Sequence, residues 1–335
     1  TDPRVVEAMV PWFYDKPGNA ASRSHRLGWE AEEAVSQARQ HLASLIGADE
    51  RELVFTSGAT ESDNLALKGV FELYGRKGRH IVTLQSEHSA VLDSCRAIEK
   101  RGGEVTYLSV NEDGLVDLKE LEAAIREDTV LVSIMWANNE TGVIQPMDEI
   151  GALCEQKGVL LMSDATQAVG KVRVDVQAAG VHILAFTGHK MYGPKGIGAL
   201  YVRRRNPRVR LAAQIHGGGH QDGMRSGTLN VPAIVGFGKA AALAAEEMPT
   251  EAPRLAALRD RLESALLQRL PAVLVNGSTE YRLPQVTNLS FTGIEGEPLM
   301  MAFNDRLAVS SGSACTSASL EPSHVLQAMG LSDQR

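Results

Sequence analysis

Cysteine is scarce in this chain of 335 residues: Cys95, Cys154 and Cys315, with no paired spacing among them. That excludes a disulfide framework, and free thiols fit a reducing compartment, so a cytoplasmic location is expected. No apolar run is long enough to span a membrane, and no secretory signal precedes the first helical stretch, which points to a soluble protein without a membrane partner. Positive charge is also in deficit, and the net charge of −7 disfavours direct nucleic-acid binding. Internal repeats and low-complexity tracts are missing. One local exception in charge is Arg203-Arg204-Arg205, continuing through Arg208 and Arg210. It reads either as a solvated basic edge after a strand or as a dock for an acidic protein partner.

What the chain has in quantity is apolar surface. Hydrophobic residues make up 44% of it, ample for a large core, and the length exceeds one typical domain. Strand-like runs at 52–56, 80–85, 104–109, 129–137, 159–164, 183–187 and 197–202 alternate with helical stretches near 60–73, 88–101, 117–126 and 146–157. Such alternation predicts an α/β fold with a mostly parallel sheet covered by helices on both faces. After Gly219 the pattern changes. Two alanine- and leucine-rich helical stretches, 231–247 and 252–269, flank Met248-Pro249-Thr250-Glu251, which predicts a hinge. The remainder, with strand-like Val273 to Asn276 and Val286 to Phe291, reads as a smaller α+β domain. The expected division is 1–248 and 249–335.

Three short motifs carry chemistry. Lys190, in Thr187-Gly188-His189-Lys190, follows the apolar run Ile183 to Phe186 and so stands just past a strand end, where open α/β sheets place their ligands. A lysine desolvated there has a lowered pKa and can form a Schiff base with a carbonyl cofactor; alone, it reads as a surface lysine ending a strand. Asp164 ends the apolar run beginning at Val159, so its carboxylate belongs at the same sheet edge. An acid for a pyridinium nitrogen beside a Schiff-base lysine is the mark of pyridoxal phosphate chemistry, although Asp164 alone reads as a helix cap. Thr56-Ser57-Gly58-Ala59-Thr60-Glu61-Ser62 lies between a strand and a helix, where unpaired N–H groups and the positive helix end can receive a phosphate. A capping box gives a similar pattern.

With these motifs in series, the chain resembles the class I, IscS/NifS-like, pyridoxal-phosphate cysteine desulfurases, from Asp2-Pro3-Arg4-Val5 to its last residues. The most specific stretches are Thr56 to Asn64, Glu87-His88, Asn138-Asn139-Glu140-Thr141-Gly142, Asp164 to Gln167, Gly188 to Gly198, Gly223 to Thr228, and Ser310 to Pro322. The resemblance implies a fold-type I transferase with pyridoxal 5′-phosphate as cofactor and L-cysteine as substrate. It implies that Lys190 holds the cofactor and removes the substrate's Cα proton, Asp164 pairs with the ring nitrogen, and Gln167 bonds the phenolic oxygen. His88 would stack on the ring and move substrate protons; a lone histidine at a helix start otherwise reads as a cap or core residue. Asn139 would contact the ring oxygen or the substrate carboxylate. Ala59, Thr60, Thr187 and His189 would hold the phosphate, with Thr228 reaching in from the second subunit of a homodimer.

Cys315 separates a desulfurase from its relatives. Its stretch, Ser310 to Ser319, consists of small residues with little to pack against a core, which predicts a mobile loop. A thiolate there would attack the substrate sulfur and carry it as a persulfide to an acceptor, a scaffold protein for iron–sulfur clusters or a tRNA-thiolation carrier. Cys95 and Cys154 read as buried, inert thiols. One thiol does not make a zinc site, so no metal is expected beyond a transient cluster ligand at Cys315. The resemblance also implies a segment before Thr1 and a tail beyond Arg335 bearing an arginine that clamps the substrate carboxylate. Competing readings are a selenocysteine lyase or an aminotransferase on the same fold, or a non-catalytic scaffold fragment. Departures from the family pattern are modest: Ala20 where a proline is usual, and Thr141 where isoleucine is common.

Overall fold

The computed structural model of the chain describes residues 1–310 and 323–332; Cys315 and its neighbours lie outside the described residues. The helices are α1 (Pro3–Met9), α2 (Pro11–Tyr14), α3 (Arg26–Leu45), α4 (Ala59–Tyr74), α5 (Ser89–Glu99), α6 (Leu118–Ala124), α7 (Met147–Lys157), α8 (Val231–Arg269), α9 (Gly296–Met301) and α10 (His324–Ala328). The strands are β1 (Leu53–Thr56), β2 (His80–Leu84), β3 (Glu104–Leu108), β4 (Thr129–Ser133), β5 (Leu160–Asp164), β6 (Ile183–Thr187), β7 (Gly198–Val202), β8 (Val273–Val275) and β9 (Leu289–Phe291).

Seven strands form one sheet in the order β1-β7-β6-β5-β4-β2-β3. The neighbours from β3 through β6 pair in parallel, and β7 runs antiparallel to both β6 and β1. Since β7 is reversed between them, β1 points the same way as β6. The carboxyl ends of β1, β2, β4, β5 and β6 therefore share one edge. Both faces are covered, as parallel strands require. One face packs against α3, α7 and α8 through Leu42, Ile150, Phe237 and Phe186, the other against α4 and α5 through Leu67, Val70, Val91 and Met162. Cys95 and Cys154 are fully buried in these cores, and burial pushes each thiol up to about 12, which leaves them inert at neutral pH.

Close approach dictates two glycines. A Cβ at Gly198 would meet the backbone carbon of Gly58 at 2.7 Å, so β7 can pass under the β1–α4 turn only without a side chain. At Gly238 a Cβ would lie 2.4 Å from Cα of Ala38, so α3 and α8 touch through bare backbone.

The expected elements correspond closely to those seen, with two differences. The run 129–137 leaves the regular ladder after Ser133, yet single bonds from Ile134 N–H to Met162 (3.1 Å) and from Trp136 N–H to Asp164 (2.9 Å) keep it beside β5. The predicted hinge at 248–251 is not a break. Residues 231–269 form one helix of 39 residues that runs through Pro249 and Pro253. Each proline removes one N–H donor without ending α8, whose buried apolar residues, Val231 to Leu243, all precede Pro249. Beyond α8, β8 and β9 form a small antiparallel ribbon. A buried fork of Arg282 on Glu263 (2.6 and 2.7 Å) ties the intervening loop to α8. Among the described residues no helix is long and apolar enough to cross a membrane, and no cluster of side chains suits a metal ion.

Candidate active site

At the shared carboxyl edge the loops after β1, β5 and β6 surround a cavity of about 590 Å³. Ala59, Thr60, His88, Asn139, Asp164, Gln167, Thr187, His189 and Lys190 all line it. Those residues span 132 positions of sequence (190 − 59 + 1), and only the strand order brings them together. Thr228 is exposed and is not part of this lining. Cys315 lies outside the described residues, although Ser310, the last one before the gap, reaches the cavity wall.

Asp164 ends β5 with its carboxylate buried, one oxygen accepting the Thr166 N–H at 2.9 Å. It caps a turn rather than a helix. Burial raises its pKa, while the Thr166 bond and the nearby His88 and Lys190 favour the anion. The fully extended register of β6 ends at Thr187, and a 3₁₀ turn, Gly188–Met191, then lifts Lys190 into the cavity. Lys190 is exposed there, so the expected desolvation of its amine is not supplied by the protein alone. The turn points the side chain toward the cavity.

Tautomers follow from backbone partners. The Ala90 N–H donates to His88 Nδ1 at 3.1 Å, so His88 caps α5 and, when neutral, carries its proton on Nε2. The cap is compatible with the site role expected of His88. Thr187 Oγ1 donates to the Ile197 carbonyl at 3.0 Å; with that proton engaged, its 3.1 Å contact with His189 requires Nδ1–H on the imidazole. Burial first, then Lys190 and Lys195, hold the His189 pKa below its ordinary value.

The residues fit pyridoxal phosphate on structural grounds. The N-cap of α4, Gly58, offers no side chain to its helix, so the first-turn N–H groups stay available to an anion, with Lys195 and His189 on the same wall. Two buried oxygens at the cavity, Asn139 Oδ1 and Thr166 Oγ1, have no hydrogen-bond partner among the described residues. A buried anion, Asp164, faces the same space as the exposed amine.

Two buried carboxyls behind the wall, Glu87 and Asp63, lie in stretches that carry the family resemblance but take no role of their own from it. Glu87 accepts the Met135 N–H at 2.6 Å and Asp63 has no partner on either oxygen among the described residues; both are fully buried, and burial pushes both pKa values far up. The sequence signal for Asp63 was an acid on the apolar stripe of α4 shared with Leu67 and Val70. His324 and Glu140 also line the cavity. The His324 Nε2 lies 2.9 Å from the Glu87 carbonyl and must donate to it.

A family model for aminotransferase class-V matches residues 1–332. A "Cysteine desulfurase IscS" from Anaeromyxobacter dehalogenans is 58% identical over 332 residues, covering 99% of this chain and 82% of the relative. One from Histophilus somni is 59% identical over 335 residues with the same coverage. Among solved structures, a "NIFS-LIKE PROTEIN" superposes with a TM-score of 0.92 at 37% identity, covering 100% of this chain and 88% of that one. A structure described as "SspA in complex with cysteine" gives 0.87 at 37% identity, with 100% and 92% coverage.

Proposed function

The chain belongs to the aminotransferase class-V family, and from that premise we propose how its cavity works. The protein is a pyridoxal-phosphate-dependent cysteine desulfurase, converting L-cysteine to L-alanine and sulfur. The observation that carries the residue roles is the meeting of Lys190, Asp164 and His88 in one cavity with an uncapped helix N-terminus. The selenocysteine lyase, aminotransferase and scaffold readings are not favoured beside relatives of this identity.

When bound, the cofactor supplies an aldehyde for amines and a ring that accepts electrons from the substrate's Cα. Lys190 would anchor it and, once released by substrate, take the Cα proton on Nζ. Asp164 would keep a proton on the ring nitrogen, a task for an anion that is buried and backed by a Thr166 N–H. Ala59 and Thr60 at the head of α4, with Thr187, His189 and Lys195, would hold the phosphate. Gln167 and Asn139 would meet the ring oxygen and the substrate carboxylate, each donating from its amide NH₂ group. His88, with its proton on Nε2, would donate to and recover protons from the substrate.

Cys315 would supply the nucleophile. Its thiolate attacks the substrate sulfur, an S–S bond forms, and the Cβ–S bond breaks with its electron pair leaving on carbon, where a proton completes alanine. The persulfide then passes to an acceptor, in iron–sulfur cluster assembly or tRNA thiolation. Peptide mass spectrometry after brief exposure to L-cysteine without reductant, with thiols alkylated, is expected to show one added sulfur on Cys315 and none in Cys315→Ser. A cofactor-loaded protein without that mass gain would defeat the role of Cys315.

An acidic acceptor would find Arg205, Arg208 and Arg210 exposed at the β7 end, whereas Arg203 is buried on the Val176 carbonyl and Arg204 pairs with Asp222. Charge reversal of Arg208 and Arg210 to glutamate should abolish capture of an acidic scaffold protein in a pull-down while leaving alanine production intact; unchanged capture would remove this surface from consideration. A homodimer in the cytoplasm, with Thr228 completing the partner's phosphate site, is the assembly this reading requires.

A further inference from the structure

Lys171 closes the turn that begins at Asp164 and carries Gln167, and its surroundings are unusual for an ammonium. Its side chain is 7% exposed, and Nζ has no hydrogen-bond partner among the described residues. Nζ sits 3.7 Å from the ring centroid of Tyr192 and 3.8 Å from Glu251 Oε2 on α8. A buried cation without hydrogen bonds is costly, and here it is compensated by the negative face of one aromatic ring and by the Glu251 carboxylate.

That ring belongs to a strained residue. Tyr192 has φ 62° and ψ 15°, the left-handed region that bulky side chains rarely adopt. In that conformation its N–H bonds Gly188 O and closes the turn bearing Lys190, while its carbonyl accepts the Asp2 N–H at 2.8 Å. The two loops also press together beside it, since a Cβ at Gly170 would lie 3.1 Å from Cβ of Met191.

We propose that Lys171 is a positioning residue: by stacking on Tyr192 it holds that residue left-handed and so fixes the Lys190 turn against the loop of Asp164 and Gln167. Lys190 itself is exposed, so the location of its Nζ depends on the turn beneath it rather than on side-chain packing. Released from Lys171, Tyr192 would relax toward negative φ, and its N–H would leave Gly188. The inference rests on Lys190 being the cofactor lysine.

The test compares Lys171→Met, Lys171→Arg, Tyr192→Leu and the double variant Lys171→Met/Tyr192→Gly. The readouts are cofactor release from the holoenzyme and the pH titration of its visible absorbance. Lys171→Met should release cofactor about tenfold faster and shift that titration, Tyr192→Leu should behave alike, and arginine should largely preserve both. Glycine at 192 adopts positive φ without strain, so the double variant should recover toward wild type. Unchanged release and titration in Lys171→Met would overturn the proposal. So would a loss that glycine at 192 fails to restore while the melting temperature of the apo-protein falls, because Lys171 would then serve stability alone. Lys190→Ala provides the separate control: if it keeps the same absorbance, the assignment of Lys190 fails, and not merely the role of Lys171.

Discussion

Single residues here take their properties from the backbone groups beside them. Neutral His88 carries its proton on Nε2 because Nδ1 accepts the Ala90 N–H, and burial raises the pKa of the Asp164 carboxylate while Thr166, His88 and Lys190 oppose that rise. Asp164→Asn removes that charge with little change of shape. The cofactor should still bind, while kcat should fall by about 100-fold or more, as when one preorganised electrostatic partner of a developing charge is lost. Steady-state alanine production at saturating cysteine measures this, and a kcat within a few-fold of wild type would mean that the ring nitrogen does not depend on Asp164. Motif reading located both residues. It placed Asp63 and Glu87 inside matching stretches without assigning them a role, because their complete burial is a property that no local spacing encodes.

Elements carry their own constraints. The sheet is closed on its β5–β6 side by His182, whose Nδ1 accepts the Leu161 N–H at 3.0 Å, so the ring must be neutral when folded. Burial first, then Arg203, depresses its pKa to about 4. A depressed folded-state pKa means that the unfolded chain binds the proton more readily. The resulting stability is therefore fully present above the ordinary histidine value and is lost as pH falls from about 6.5 toward 4. By pH 5 the loss should be on the order of 2 kcal/mol, and His182→Asn should flatten the curve in that window. Urea midpoints at several pH values check it; identical pH dependence in the variant would show that another group titrates. Strand and helix positions were legible from periodicity, since each depends on a few neighbouring residues. The continuity of α8 was not, because two prolines signal a local break and the helix nonetheless runs through both.

At the scale of the whole molecule, Thr228 is assigned by the proposed homodimer to the partner's phosphate site. It is exposed and absent from its own subunit's cavity lining, and Phe13, Tyr14 and Trp29 are 64%, 66% and 54% exposed, an amount of aromatic surface that suits burial against a second copy. Mixing inactive Lys190→Ala with Thr228→Ala subunits, under conditions that allow exchange, should regain activity. One site per hybrid would then combine an intact lysine with an intact threonine from its neighbour. No recovery, in a mixture shown to contain hybrid dimers, would place Thr228 outside the partner's site. We keep the division into units 1–248 and 249–335 as a proposal; α8 would belong to both, so any motion between them has to bend or carry that helix.

The sequence by itself determined the α/β alternation, the strand ends where Asp164 and Lys190 stand, and the order of motifs by which the family is recognised, because these depend on periodicity and short-range chemistry. Only the tertiary structure decided which strand ends are neighbours. It set β1 parallel to β6 through the reversed β7, gathered the residues between 59 and 190 around one cavity, and stacked the Lys171 ammonium on Tyr192. Those outcomes depend on contacts between segments far apart in the chain, where strand order and the burial of both sheet faces, rather than any local pattern, fix the geometry.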